Sequence, residues 1–546
     1  MLFVNGKIYS LDDKNTEYEA LAIEKNKIVD LGITEELVDK YSTENNIIDL
    51  QGKMLIPGFN DSHMHLLSYG FANLIKANLN NAKSIDEVIR IVKDFSKDKK
   101  KRLGNWIMGR GWNENNFKEK RILNRYDLDK ISADEPIFLN RSCGHHVVVV
   151  NSKALEICLI DKNTEQIDGG HFDVDENGDP TGVFRENARN LILKKIPNPN
   201  VSEIKDMIVE GLKTASKNGI TSIQTDDFEA FMNGEYDEKI IDAYLQLKSE
   251  KRLNARIYHQ SQIHYPELLK EFIDLGYNTG WGDNHFKIGP LKLLTDGSLG
   301  GRTALLDDFY KDDPHNKGIS SFSQEELDEL IMIAHEANMQ VASHCIGSGA
   351  MKMFFNSLEK VLSKKPMKNH RHGVVHGQIT NDEIFEKFKK NNAIAYIQPV
   401  FIDRDMHILE SRLDKDKISK TYNWKTFFDM GIHASGGSDA PVEDMDVISN
   451  IYHAVARKDK SGFPIGGWLP EQKLSLTEAL KLFTIEGAYA SFEENVKGTL
   501  EKGKLADIVI LSEDLYNLKE EEILKAKVLM TVMDGKIVYE AKEDQK

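Results

Sequence analysis

KMLIPGFNDSHMHL, residues 53–66, carries an apolar run that ends in Pro57-Gly58 and then two imidazoles, His63 and His65, spaced as HxH. In extended backbone, residues i and i+2 project to the same face, so both rings can converge on one cation without a bend. An HxH pair by itself also fits two polar loop histidines. Its weight comes from Lys292, His344, His376 and Asp439, each at or just after a later short apolar run. Taking KMLIPG as a first strand, the chain continues with ITSIQT, ARIYHQ, GPLKLL, QVASH, GVVHG, AIAYIQ and HASGGSD. Helix-like segments such as SQEELDELIMIAHEANM and TNDEIFEKFKKNN lie between them. Eight strands alternating with helices predict an α/β fold, a (β/α)8 TIM-like barrel, with the active site at the C-terminal strand ends. Every candidate ligand falls at such an end.

Outward from the barrel, residues 1–55 alternate β-rich runs with turns: LFVNGKIYSL, EALAIEKNKIVDLG and NIIDLQGKML. Asn5-Gly6 reads as a tight hairpin, and no helix is expected there. Residues 499–546 behave likewise, with GTLEKGKLADIVIL, KVLMTVMDGKIVYE and a second hairpin signal at Asp534-Gly535. Because edge strands must be paired or covered, two β-rich ends predict one composite β-sandwich, 1–55 plus 499–546, around a barrel at 56–498. Roughly 160 residues part the first strand from the second, far more than a βα connection needs. An inserted subdomain at about 75–200 is therefore expected, holding IMGRGWNENNF, RSCGHHVVVVNSKAL and GDPTGVFRENA. Loops on the catalytic face are where substrate selection is usually built, so the insertion is the expected seat of specificity.

Composition narrows the partners. The chain has 546 residues, 40% of them apolar, enough for a large core. Lys+Arg number 71 against 87 Asp+Glu, a formal charge of -16, which repels phosphate backbones and anionic lipid. A small-molecule substrate is the expected partner, not nucleic acid or membrane; related barrels often dimerise, which leaves room for a homodimer. Cys143, Cys158 and Cys345 form an odd, sparse set that fits a reducing compartment. With no basic, apolar leader in MLFVNGKIYSLDD and no apolar stretch of ~18 or more residues, a cytoplasmic protein is expected.

His344 closes QVASH and His376 closes GVVH, so both rings should point into the barrel mouth. Asp61 is placed to orient one imidazole of the HxH pair. Asp439 follows the small residues Ala434, Ser435, Gly436, Gly437 and Ser438, which let backbone approach the centre. Its carboxylate can bind a cation with one oxygen and take a proton from water with the other; capping the next helix is the rival role. Lys292 is an ammonium and repels a cation, but a neutral amine can react with carbon dioxide to give a carbamate, an anionic bridge between two metals. Its rivals are an ion pair with Asp296 or contact with a substrate anion. Trp112, His145 and Asp296 are candidate substrate-binding residues. Cys345, beside His344, should point away into the core.

These segments, in this order, carry a resemblance that spans nearly the whole chain: LIPGFNDSHMH, NSKAL, GDPTGVFRENA, LKLLTDGSLGGRTAL, VVHGQ, GGSDAPV and GKLADIVIL. The chain resembles the amidohydrolase superfamily and, within it, the YtcJ-like (amidohydrolase 3) family, which includes N-substituted formamide deformylase. The resemblance implies metal positions at His63, His65, His344, His376 and Asp439, a carboxylated bridging Lys292, and a composite β-sandwich. It departs where similar sequences place an acidic residue before the sixth-strand histidine: here Val375 precedes His376, with extra histidines at His370 and His372. The expected function is metal-dependent hydrolysis of a non-peptide C–N bond, amide or formamide, by a hydroxide activated between two divalent ions, zinc by default. Ester or lactone hydrolysis, ring deamination, or a non-catalytic regulatory role on the same fold are the alternatives.

Overall fold

The computed structural model describes residues 1–43, 46–142, 146–231 and 236–542. At its centre eight parallel strands follow one another in chain order: Phe59–Met64, Ile220–Asp226, Arg256–Gln262, Phe286–Leu294, Val341–Cys345, Gly373–His376, Ile394–Ile397 and Ala434–Gly436. The first and last meet at the mouth, where the Asp439 amide donates to the His63 carbonyl at 2.8 Å and the His65 amide to that of Ala440 at 2.8 Å. Gly437 makes this closure possible: a Cβ there would stand 2.6 Å from the His63 amide nitrogen. The fold is the (β/α)8 barrel with flanking β-sandwich sheets.

Seven of the eight strand patterns coincide with barrel strands; the first does not. Met54–Pro57 belongs to the sandwich, pairing antiparallel with Ile508–Leu511 and parallel with Lys7–Tyr9, and the barrel begins at Phe59. Gly58 is the crossing point, where any Cβ would fall 2.3 Å from the Thr221 hydroxyl oxygen. An apolar run records burial without recording which sheet buries it, and the barrel strand that follows, FNDSHM, is polar though buried and so reads as the exit from a strand.

The sandwich draws on both ends of the chain. One sheet orders Lys27–Gly32, Ala20–Glu24, Leu2–Val4 and Ile47–Asp49; the other orders Lys536–Glu540, Val528–Met533, Ile508–Leu511, Met54–Pro57, Lys7–Tyr9 and Glu17–Tyr18. Phe3, Ile8, Leu21, Leu55, Ile508 and Val532 share its core. Asp534-Gly535 closes a hairpin, with φ of 54° and 71° as a primed turn requires. Asn5-Gly6 does not: Leu2–Val4 and Lys7–Tyr9 lie in different sheets, and the dipeptide carries the chain across. Nor is the N-terminal segment free of helix. Thr34–Tyr41 is helical, with Glu35 and Glu36 in its first turn, Lys40 in its last, and Leu37 buried, an amphipathic signal too short to stand out among strands. Beneath the barrel, Arg256 binds Asp507 through Nε at 2.6 Å and Nη2 at 2.9 Å, and Asp534 at 3.1 Å, tying the third barrel strand to the sandwich.

The chain divides into two compact units. Barrel and sandwich form one, 1–66 with 212–228 and 247–546; the other comprises 67–211 with 229–246. The second unit has its own six-stranded sheet, in the order Gly170–Val174, Pro180–Glu186, Val147–Val150, Ile137–Arg141, Ile107–Trp112 and Lys76–Asn78. Its core gathers Trp112, Phe117, Leu139 and Val149 with Val88 and Val92 of the helix Ile85–Phe95. Among the described residues, no helix is long and apolar enough to cross a membrane.

Candidate metal centre

Strand alternation aims His63 into the barrel, and His65 follows at the strand end. The ligand atoms of His63, His65 and Asp439 all lie within 4.8 Å of one another. Asp439 Oδ1 stands 3.1 Å from His65 Nε2 and 3.4 Å from His63 Nε2. His376 joins them with its ring centroid 5.5 Å from that of His63, and His344 sits 4.4 Å from His376. Lys292 is fully buried, and its Nζ is 3.4 Å from Asp226 Oδ2. The ion-pair partner of Lys292 is thus Asp226, not Asp296. Two residues of the cluster adopt the left-handed region rare for side chains, His376 at φ 78° and Asp439 at φ 58°, as residues at functional sites often do.

Each imidazole is held by its Nδ1. His63 Nδ1 lies 2.8 Å from Gln260 Oε1, His65 Nδ1 3.0 Å from the Asp226 carbonyl, His376 Nδ1 2.7 Å from Gln398 Oε1, and His344 Nδ1 3.1 Å from Asp296 Oδ1. The orientation of both glutamines is fixed, because Gln260 Nε2 donates to the Ser62 carbonyl and Gln398 Nε2 to that of Tyr396. With a glutamine oxygen at Nδ1, His63 and His376 carry the proton there and keep the Nε2 lone pair for a cation; His344 and His65 also present Nδ1 to acceptors, and His65 Nε2 faces the Asp439 carboxylate as well. Electrostatics agree: burial, Lys292 and the neighbouring imidazoles hold His63 well below the ordinary histidine range, and burial, His344 and Lys292 do the same for His376. Imidazoles beside a carboxylate are a donor set that fits a divalent cation.

Several expectations land elsewhere. Asp61 does not hold an imidazole; its Oδ1 accepts the backbone amides of His63 and Ser438, bracing the barrel closure, and burial pushes its carboxyl up to about 7. Asp296 is committed to His344 and to the amides of Leu305, Ile346 and Gly347, which occupy its acceptor sites, so it anchors the His344 ring where substrate contact was expected. Trp112 is fully buried in the second unit's core, its Nε1 donating to the Leu139 carbonyl and its ring stacked on Phe117. His145 lies outside the described residues. Cys345 is buried. His370 and His372 precede the sixth strand and bond within the protein, His372 to His335 at 2.8 Å, and take no part in the cluster.

Gln260, Gln398 and Asp226 were missed in the sequence, though each closes or follows a recognised strand pattern. A long polar side chain on the inward face of a barrel strand was the available signal. Replacing Gln260 or Gln398 by leucine keeps the bulk and removes the acceptor. Divalent-metal affinity is expected to fall about 10–100-fold in each variant, as read by chelator competition; unaltered affinity would show that the rings need no anchor.

The amidohydrolase family model matches residues 46–539. Protein YtcJ of Bacillus subtilis (strain 168) is 32% identical over 538 residues, covering 98% of each chain. N-substituted formamide deformylase of Arthrobacter pascens is 23% identical over 553 residues, covering 99% of this chain and 98% of its own. Among solved structures, an uncharacterized metal-dependent hydrolase from Pyrococcus furiosus superposes with a TM-score of 0.77 at 28% identity, over 94% of this chain and 99% of that one. With its ligand cluster at the barrel mouth and a family match along nearly its whole length, the chain belongs to the amidohydrolase family and is a metal-dependent hydrolase.

Proposed function

We propose that the protein hydrolyses a non-peptide C–N bond, of amide or formamide type, at a pair of divalent ions, most simply zinc. His63, His65, His344, His376 and Asp439 would hold them, with Lys292 as a bridging carbamate. The observation that carries this reading is the set of four imidazoles, each anchored at Nδ1, around Asp439 and a fully buried Lys292. When bound, the metals supply Lewis acidity, lowering the pKa of water toward ~7 and polarising a carbonyl. A carbamate on Lys292 would convert a buried cation into an anion, so that with Asp226 and Asp439 three negative charges would face two dications. One positive charge would remain to meet the oxygen charge that develops during attack. Asp439 takes the proton from the attacking water and returns it to the departing nitrogen, giving a carboxylate and an ammonium from one amide and one water. The deformylase among the relatives supports the choice of bond.

The test is a panel of N-acyl and N-formyl amines, with esters and lactones beside them, offered to metal-reconstituted protein of measured metal content. Amine release with two metals per chain, and a labelled carbamate after growth with isotopic bicarbonate that is lost in Lys292→Met, are the expected results. Ester turnover without amide turnover would overturn the C–N assignment, and one metal without carbamate would overturn the bridged pair.

A further inference from the structure

The second unit carries a cationic cluster of its own. Its strands Lys76–Asn78 and Ile107–Trp112 pair in parallel, with Met108 opposite Lys76 and Arg110 opposite Asn78. Ala77, Ile107 and Leu139 belong to the core on one face of this sheet, so alternation sends Lys76, Asn78 and Arg110 to the other face. A bulge between Arg110 and Trp112 returns the tryptophan to the core. Arg110 is oriented by Asn73, its Nη2 donating to Oδ1 at 3.1 Å. Lys76 is half-buried, and its Nζ stands 4.5 Å from the centroid of the Phe71 ring, which Phe231 meets edge-on at 5.9 Å. Asn73 and Asn78 are exposed, so the cluster is open to solvent.

The ring contact is the only partner of Lys76 Nζ among the described residues; no carbonyl, hydroxyl or carboxylate accepts from it. Its three N–H donors are unused. Withdrawing an ammonium from water without an acceptor is costly, and a second cation nearby adds to the cost. Burial and Arg110 together lower the Lys76 pKa to about 8. The chain has 87 acidic residues, yet among the described residues none relieves this one. The group that would relieve it is an anion from outside the chain. Phe71 and Phe231 set a second requirement, because their apolar surface beside the ammonium suits a ligand with a hydrocarbon or aromatic body better than a bare inorganic ion.

We infer that Lys76, with Arg110 beside it, is a binding site for a small organic carboxylate whose apolar body rests against Phe71 and Phe231. Titration calorimetry with phenylacetate, its neutral counterpart phenylacetamide and inorganic phosphate tests this on metal-reconstituted protein, as wild type, Lys76→Met and Lys76→Arg. Wild type should bind phenylacetate in preference to the other two. Lys76→Met, which keeps the length and loses the charge, should bind it about 10–100-fold more weakly, and Lys76→Arg should retain most of the affinity. Metals also take carboxylates, so the difference between variants is the measure. Equal affinity in wild type and Lys76→Met, or phenylacetamide bound as tightly as phenylacetate, would overturn the site; phosphate bound as tightly would overturn the apolar body.

A second readout needs no substitution. Trace acetylation by acetic anhydride, followed peptide by peptide in a mass spectrometer, reports how much of Lys76 is free amine at each pH. A bound carboxylate favours the ammonium, so phenylacetate should raise the titration midpoint of Lys76 above about 8 and slow its labelling there, while other lysines keep their rates. A midpoint that phenylacetate leaves in place would overturn the assignment, whatever the fate of the variants.

Discussion

Asp439→Asn is expected to lower kcat about 10²–10⁴-fold, the span usual for losing a positioned general acid–base group, while the protein keeps most of its metal. The amide retains an oxygen for a cation but cannot take up the proton of water at neutral pH. The substitution also isolates chemistry from folding. Asp439 sits at φ 58°, a conformation asparagine tolerates as well as aspartate, and its backbone amide still donates to the His63 carbonyl. Asp439→Ala, which loses the oxygen too and is strained at that φ, should lose metal as well as turnover. Parallel elemental analysis and amine-release assays on the two variants check this; undiminished turnover by the asparagine variant would remove Asp439 from proton transfer.

The largest stability effect is expected at the floor of the barrel. Arg256 is 2% exposed, and although burial opposes its charge, Asp507 and Asp534 hold its pKa above the ordinary value. Asp507→Ala removes the two-pronged partner and leaves a guanidinium in a dry site with Asp534 at 3.1 Å and the Asn284 carbonyl at 3.0 Å. Breaking such a pair from one side costs about 3–5 kcal/mol. Asp534→Ala should cost less, since that carboxylate is partly solvated at 18% side-chain exposure. Replacing both ends together, Arg256→Met with Asp507→Leu, should recover most of the loss, because no charge is then stranded. Denaturant unfolding of the metal-free variants measures the series. Equal costs for Asp507→Ala and Asp534→Ala would mean that burial does not set the energy.

Much of this molecule is legible in its sequence because barrel chemistry is concentrated at strand ends. His63, His65, Lys292, His344, His376 and Asp439 each close or follow an apolar run, so the pattern that gives the fold also places the candidate ligands. The residues that hold those ligands are harder to see. Gln260 and Gln398 look like any polar residue in a strand until the inward face is known, and the role of Asp226 at His65 runs through a backbone carbonyl that no residue type announces. Asp61, next to the HxH pair, invited the role of ring anchor by proximity along the chain; the geometry gives it to residues distant in sequence. Trp112 shows the opposite error, since an aromatic among glycines reads as a binding surface whether it is exposed or, as here, buried. At Gly58 the boundary between sandwich and barrel was invisible because the barrel strand after it, FNDSHM, is polar though buried and reads as a strand exit.

The hydrogen bond from Asp439 to the His63 carbonyl, with Gly437 pressed against the same backbone, also bears on how the enzyme comes into being. His65 and Asp439 are 374 positions apart, yet they meet side chain to side chain. During synthesis the first two imidazoles emerge long before the carboxylate, so a growing chain exposes an incomplete chelate through most of its translation. Such long-range pairing makes assembly slow. The three side chains that could hold an ion therefore come together only when the last barrel strand closes on the first.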